Sequence, residues 1–438
     1  MADASHGSLS GLGRRAFVRG SLLAGSGLLA GARSWADETP AAAGSPERVV
    51  VGVMGMSRGK GLAEQFARFP GVEVRYVCDV DSKRLADGAK AVVAAGAAEP
   101  KAIGDWRRIL DDKEVDALVC AAPNHWHATA TVRGCEAGKH VYVEKPCCQT
   151  PAEGEVMVAA ARKHGRAVQV GTQRRSSAGI AEAVKLLREG GIGRVWEARA
   201  FYGAGRGSIG RGKPAPVPGH IDWNLWQGPA PRREWIDNRV HYNWHWFWHW
   251  GNGELGNNGV HTIDLCRWGL GVDFPERVGS AGGRYAFVDD QETPDTQVAT
   301  FEFPDRKLIT WEGHSCNRLG EEDFITFYGD SGSLRLADGG AFKVYDAAGK
   351  QVKEQSGTRG DSEHIANFLE AVRTGRGDAL AAGIDDAWKS TLLCLLGNIA
   401  ARTRRSLACD PATGHVLHDA EAQALWSRDY EPGWELHA

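Results

Sequence analysis

The chain of 438 residues is 42% hydrophobic and 24% charged, with a formal net charge of -3, which suits a soluble globular protein with two filled cores. Nothing in that balance favours nucleic acid or an anionic membrane surface as a partner. Nine cysteines lack metal-type spacing, so no metal is expected, and their odd number leaves at least one outside any intrachain disulfide.

In chain order, Arg14 and Arg15 precede Phe17, an apolar run from Gly20 to Ala32, and the small-x-small triplet Ser34-Trp35-Ala36. Residues 1–36 therefore read as a twin-arginine signal peptide cleaved after Ala36, which places the mature protein in the periplasm or otherwise outside the cytoplasm. The run is too short and glycine-rich to be a stable membrane anchor. Residues 37–47, rich in Ala, Pro and Gly, read as a linker.

Residues 48–168 alternate strand and helix. The apolar run Arg48 to Val53 empties into Gly55-Met56-Ser57-Arg58-Gly59 before a helical pattern carrying Leu62, Phe66 and Phe69. Gly55, Ser57, Arg58 and Gly59 are thus candidates to hold a dinucleotide pyrophosphate at a helix N-terminus, although Ser57 stands where a second glycine is usual and the loop looks one residue short. A second strand, Val72 to Cys78, ends in Asp79, whose carboxylate is placed to accept from an adenosine ribose. Asp79 favours NAD, while Lys83 and Arg84 leave NADP open. After a helix from Ser82 to Ala94, a short one from Trp106 to Leu110 and a strand from Ala117 to Ala121 comes Pro123-Asn124-His125-Trp126-His127. A helix from Ala128 to Gly138 leads to the strand His140 to Val143, which closes on Glu144-Lys145-Pro146. Parallel βαβ units of this kind predict a Rossmann doubly wound sheet, with both motifs at its carboxyl edge. Cys147 and Cys148, beside Lys145, read as packing or as a reactive thiol.

Residues 169–438 are expected to form a substrate-binding and oligomerisation domain. Gln173, Arg174 and Arg175 follow the strand Ala167 to Gly171, where Arg174 could face the cleft. Seven tryptophans lie between Trp223 and Trp250, among them Trp248, with His241, His245 and His249 interleaved. Such rings either stack on a sugar or pack between domains. Tryptophan at alternate positions from Trp244 to Trp250 suggests an extended chain rather than a helix aligning the histidines for zinc. Gly251 to Gly259 reads as a flexible approach to a helix beginning near His261. Strands are predicted over Val195–Tyr202, Gln297–Phe303, Leu308–Trp311 and Phe324–Tyr328, covered by helices from Ser362 to Thr374 and Asp385 to Arg402.

Val51-Gly52-Val53-Met54-Gly55, Cys78-Asp79, Asn124 to His127, Glu144-Lys145-Pro146 and Gly259-Val260-His261-Thr262-Ile263-Asp264-Leu265 together resemble the glucose-fructose oxidoreductase, inositol 2-dehydrogenase and rhizopine-catabolism (Gfo/Idh/MocA) family. The resemblance implies a nicotinamide cofactor held by the first domain, with Pro123, Asn124, His127, Glu144 and Lys145 beside it. It further implies a second α/β domain with an open, mostly antiparallel sheet, and a homo-oligomer, dimer or tetramer. By position, Lys145 resembles the lysine that binds the reacting hydroxyl, and His261 the acid/base. Many members carry Asp where this chain has Asn257, so Asp264 or another residue would have to hold the imidazole. Asn257, Asp264, Arg174 and Trp248 join Lys145 and His261 as candidate substrate contacts.

The reading that follows is an exported NAD(P)-dependent oxidoreductase acting on a sugar or sugar-like polyol. A cofactor lost at each turnover would not be replaced outside the cytoplasm, so a tightly bound one is expected. A redox-neutral glycosidase, using transient oxidation and elimination, and a non-catalytic sugar sensor are the alternatives.

Overall fold

The computed structural model describes residues 48–317 and 323–436; residues 1–47, where a signal peptide and linker are expected, lie outside the described residues. Six strands, β1 (Val49–Met54), β2 (Val72–Cys78), β3 (Lys101–Ile103), β4 (Ala117–Cys120), β5 (His140–Val143) and β6 (Val168–Val170), form a sheet in the order β3-β2-β1-β4-β5-β6. All pairings are parallel. β1 is buried at every position because helices cover both faces of such a sheet. Strand order reverses between β1 and β4, which opens a crevice at their carboxyl ends.

The connecting helices are α1 (Arg58–Ala67), α2 (Ser82–Ala94), α3 (Arg107–Asp111), α4 (Asn124–Glu136) and α5 (Pro151–His164). Two details differ from expectation. β3 has only three residues, none of them buried, so it lacks the apolar run that marks a strand. α4 starts at Asn124 rather than Ala128, with Pro123 at its N-cap, so Asn124 to His127 form its first turn instead of a loop.

The second half holds α6 (Ala178–Arg188), β7 (Val195–Gly205), α7 (Trp223–Gln227), α8 (Val260–Leu270), β8 (Arg277–Gly283), β9 (Thr296–Phe303), β10 (Lys307–His314) and β11 (Cys316–Asn317). It continues through β12 (Ile325–Gly329), β13 (Gly332–Leu336), β14 (Phe342–Asp346), β15 (Gln351–Gln355), α9 (Asp361–Thr374), α10 (Ile384–Thr403), β16 (Leu407–Cys409) and β17 (Val416–Leu417). An 11-stranded sheet runs β15-β14-β13-β12-β7-β10-β9-β8-β16-β17, with β11 paired to β7. Only β7 and β10 pair in parallel; the other pairings are antiparallel. β9 shows the two-residue period of a half-buried sheet: Ala299, Phe301 and Phe303 face the core while Val298 and Glu302 are exposed.

α9 does not cover this sheet as expected. Its Ile365, Phe368 and Leu369 pack with Val49 and Val51 of the parallel sheet and Phe66 of α1, and the Phe368 ring meets Phe66 and Tyr142 edge-on at 6.3 and 5.7 Å. An amphipathic stripe says that one face is buried, not against which sheet. α10 joins the two halves, since Leu392 and Leu396 share one core with Val143, Leu255, Ile263 and Phe301, and the described residues form one compact unit.

Candidate active site

The crevice at the reversal point is a cleft of about 400 Å³ lined by both halves, including Gly55, Ser57, Arg58, Asp79, Pro123, Asn124, His127, Glu144, Lys145, Asn257 and His261. Gly55 has φ +90, and a Cβ there would lie 2.6 Å from the Ala121 carbonyl oxygen. Only glycine suits that turn. Gly59 is packed rather than exposed to the cleft: its position leaves 3.2 Å from a Cβ to Val53 and 3.3 Å to Ala121, letting α1 sit tightly on the sheet. Ser57 caps α1 without a side-chain bond, and the helix has no acidic residue in its first turn, an arrangement that suits an arriving anion.

Asp79 accepts from the backbone N–H of Met56 at 2.6 Å and of Asp81 at 2.8 Å. Burial raises its pKa, and those two N–H groups work against the rise. Arg84, Gly104 and Trp106 line the same end of the cleft. The turn, the helix terminus and the carboxylate together fit a dinucleotide, with pyrophosphate at Gly55–Arg58 and ribose at Asp79.

At the other end, Glu144 accepts from Arg58 Nε at 3.0 Å, tying the glycine turn to the Glu-Lys-Pro segment. His127 Nδ1 lies 2.6 Å from the Pro146 carbonyl oxygen and Nε2 2.7 Å from that of Ala122. That ring therefore braces Pro146, and hence Lys145, from α4. Asn124 Nδ2 donates to Asn252 Oδ1, and Asn252 Nδ2 to the Gln149 carbonyl, each at 2.8 Å.

Lys145 Nζ donates to the Asn257 carbonyl at 2.7 Å and lies 3.4 Å from Asn257 Oδ1. Its pKa is lowered, first by burial, while Glu144 partly restores the charged form. Asn257 belongs to a π-helical turn, Leu255–Gly259, that runs into α8. The glycine-rich stretch is thus a buried structural turn, not a flexible approach; only Asn258 in it is not fully buried. Four residues on, His261 lines the same cleft. Burial holds its pKa well below the ordinary value, and the cations Arg174, Lys145 and Arg58 add to this. Its Nδ1 is buried without a partner, which leaves Nε2 as the open nitrogen.

Three candidate contacts lie elsewhere. Asp264 faces the core, where Arg175 grips it at 2.8 Å through both Nε and Nη2 and Ser390 donates at 2.7 Å. It neither lines the cleft nor partners His261, because Arg175 and Ser390 hold both of its oxygens in the core. Arg174 is held by Asp338, Nε at 3.1 Å, and lies over Phe324; it influences His261 by charge without lining the cleft. Trp248 lines a separate cleft, under Arg402.

The tryptophans mostly pack on one another: Trp223 stacks on Trp226 at 4.8 Å, and Trp226 meets Trp250 edge-on at 5.4 Å. Residues Asn243–Trp246 form a 3-10 turn, not an extended segment. The three histidines diverge, His241 to Asp81, His245 to the Tyr242 carbonyl and His249 to that of Pro231. Cys147 and Cys148 are fully buried.

Sequence reasoning did not place Tyr242, His245, Arg359 or Asp361 in the cleft, yet all line it. His245 stacks on Trp244 at 3.6 Å, with Nδ1 2.6 Å from the Tyr242 carbonyl. Burial pushes its pKa down to about 3. Asp361 opens α9 and Arg359 lies just before it, far along the chain and without a motif.

Residues 47–172 match the model described as "Oxidoreductase family, NAD-binding Rossmann fold", and residues 192–436 match its "C-terminal alpha/beta domain". The chain is 28% identical over 251 residues to a levoglucosan dehydrogenase of Pseudarthrobacter phenanthrenivorans, covering 52% of this chain and 57% of that protein. It is 31% identical over 163 residues to a glycosyl hydrolase family 109 protein of Shewanella, covering 33% of this chain and 36% of that one. The matched stretches thus span about half or less of these curated relatives. The solved aldose-aldose oxidoreductase of Caulobacter crescentus shares the fold at TM-score 0.62 and 22% identity, over 83% of this chain and all of that one. With the second model alone matching more than half of its residues, this chain belongs to the Gfo/Idh/MocA oxidoreductase family.

Proposed function

We propose that the protein oxidises a carbinol of a sugar or sugar-like polyol using NAD, with Lys145 and His261 as the chemical pair. The observation that carries this is their presence on one cleft with the Gly55 turn and Asp79. Nicotinamide, when bound, supplies the hydride acceptor. The hydroxyl proton passes to His261 Nε2, since burial keeps the imidazole neutral at pH 7. The Lys145 ammonium stabilises the oxygen as negative charge develops. Asp79 favours NAD because a 2′-phosphate beside a buried carboxylate would be repelled. The levoglucosan dehydrogenase likeness supports a carbohydrate substrate.

The twin-arginine signature supports export, and export supports a nicotinamide that stays bound and is recycled within each turnover. The protein assembles as a homo-oligomer through the open face of its second sheet, where Val298 is 45% exposed. A redox-neutral glycosidase is the second reading, favoured by the likeness to the glycosyl hydrolase family 109 protein.

Denaturing the mature protein and assaying released nicotinamide tests retention. Nitrophenyl glycosides and free sugars, supplied in parallel, separate the chemistries. NADH formed with a free sugar supports dehydrogenation, aglycone release without net NADH supports the glycosidase, and neither with any substrate overturns both.

A further inference from the structure

A second cleft of about 360 Å³ lies between the N-terminus of α5, the segment from Pro231 to Arg233, Trp248–Asn252, α10 and residues 425–429, and it shares no lining residue with the first. Four guanidinium groups border it, Arg232, Arg233, Arg402 and Arg428, against the single carboxylate of Asp429. Two of them have no carboxylate partner among the described residues: Arg233, and Arg402, which lies over the Trp248 ring at 5.1 Å. Arg428 spends Nε on Glu153 at 2.7 Å and Nη2 on the His125 carbonyl at 2.8 Å, while Nη1 is buried with no partner. Gln149, 5% exposed, donates Nε2 to the Trp248 carbonyl at 2.9 Å, and its Oε1 is likewise buried and unpartnered.

Buried polar atoms are normally satisfied, and leaving one bare costs about 1–3 kcal/mol. These two orphans specify complementary needs. The guanidinium asks for an acceptor, best an anionic one. The amide oxygen asks for an O–H or N–H donor. Pro231, Leu395 and Ile399 add apolar wall that suits C–H faces, and the space exceeds what a lone oxyanion fills.

We propose that this second cleft binds a sugar carrying a carboxylate or phosphate group, the anion on the Arg402 and Arg428 side and a hydroxyl donating to Gln149 Oε1. It is a binding site separate from the dinucleotide cleft and does not depend on the reaction assigned there.

The test is calorimetric titration of the full mature protein with glucuronate, glucose 6-phosphate, glucose and inorganic phosphate, alongside Arg402→Gln, a surface change that leaves the Arg428–Glu153 pair intact. One or both charged sugars should bind saturably, roughly tenfold tighter than glucose or phosphate, and Arg402→Gln should weaken them roughly tenfold. Glucuronate binding without glucose 6-phosphate, or the reverse, identifies the anion. Phosphate binding as tightly as either charged sugar would leave a bare oxyanion site and overturn the proposal. So would the absence of saturable binding, or charged-sugar affinities that Arg402→Gln leaves unchanged.

Discussion

Replacing Lys145 with methionine keeps the length of the side chain and removes its charge. Two effects on stability oppose each other. The Asn257 carbonyl, now 2.7 Å from Nζ, loses its donor at a cost of about 1–3 kcal/mol. Against this, the desolvated ammonium is gone, and burial is the first cause of that amine's lowered pKa. The melting temperature should therefore move only a few degrees. Catalysis has no such compensation, because nothing replaces the positive charge where the alkoxide forms. Loss of one such group costs about 2.7–4 kcal/mol, or roughly 10²–10³ in kcat. Single-turnover kinetics, followed by nicotinamide absorbance, should show this drop in the hydride step with the cofactor still bound. The wild-type rate should fall on the alkaline side below the ordinary lysine value of 10.5, as the ammonium deprotonates, and the variant should lack that limb. A folded Lys145→Met protein with kcat within tenfold of wild type, or with the alkaline limb retained, would refute the assignment.

Acid should destabilise the fold through His364, whose neutral ring is satisfied by Ser176 Oγ at Nδ1, 2.8 Å, and by the Val170 carbonyl at Nε2, 2.9 Å. Burial pushes its pKa from 6.5 to about 4. The unfolded chain therefore takes up the proton first, and stability is lost as pH falls from 6.5 towards 4, by about 2 kcal/mol at pH 5. Urea titrations at pH 7.5 and 5 should show it, and His364→Asn should flatten the difference; an unchanged slope would exclude His364 as its source. Gly55→Ala forces a side chain into φ +90 and against the Ala121 backbone; calorimetry should find NAD affinity lost and the melt lowered, with about 1–3 kcal/mol from the backbone conformation alone. Asp264→Ala leaves the buried Arg175 with Asp386 as its one remaining carboxylate and should cost at most about 3–5 kcal/mol in denaturant unfolding. A substrate contact would instead raise KM with stability intact.

The parallel sheet was legible because its strands are apolar runs that end in turn residues, and the Glu-Lys-Pro and His-x-x-Asp elements marked both catalytic candidates. β3 was not, being too short and too exposed to carry a pattern. Asp264 and Trp248 were misplaced for a different reason: a motif fixes spacing along the chain, not which face of an element meets the cleft. The same limit explains His245, which lines the cleft with its neighbours Tyr242 and Trp244 while Trp248 does not, and Arg359 and Asp361, which no motif marks.

Local backbone and burial preferences determined, from the sequence alone, the glycine turn, Asp79 at the end of β2, Lys145 at the end of β5 and a helix carrying His261, since each depends on residues within one or two turns. Tertiary packing decided the rest. It laid α9 on the parallel sheet, turned Asp264 into the core, wound the stretch before His261 into a buried π-helical turn and formed a second, arginine-lined cleft apart from the first. Such outcomes arise because apolar faces and buried charges are satisfied by whatever surface the folded chain brings to them, and that surface is distant in sequence.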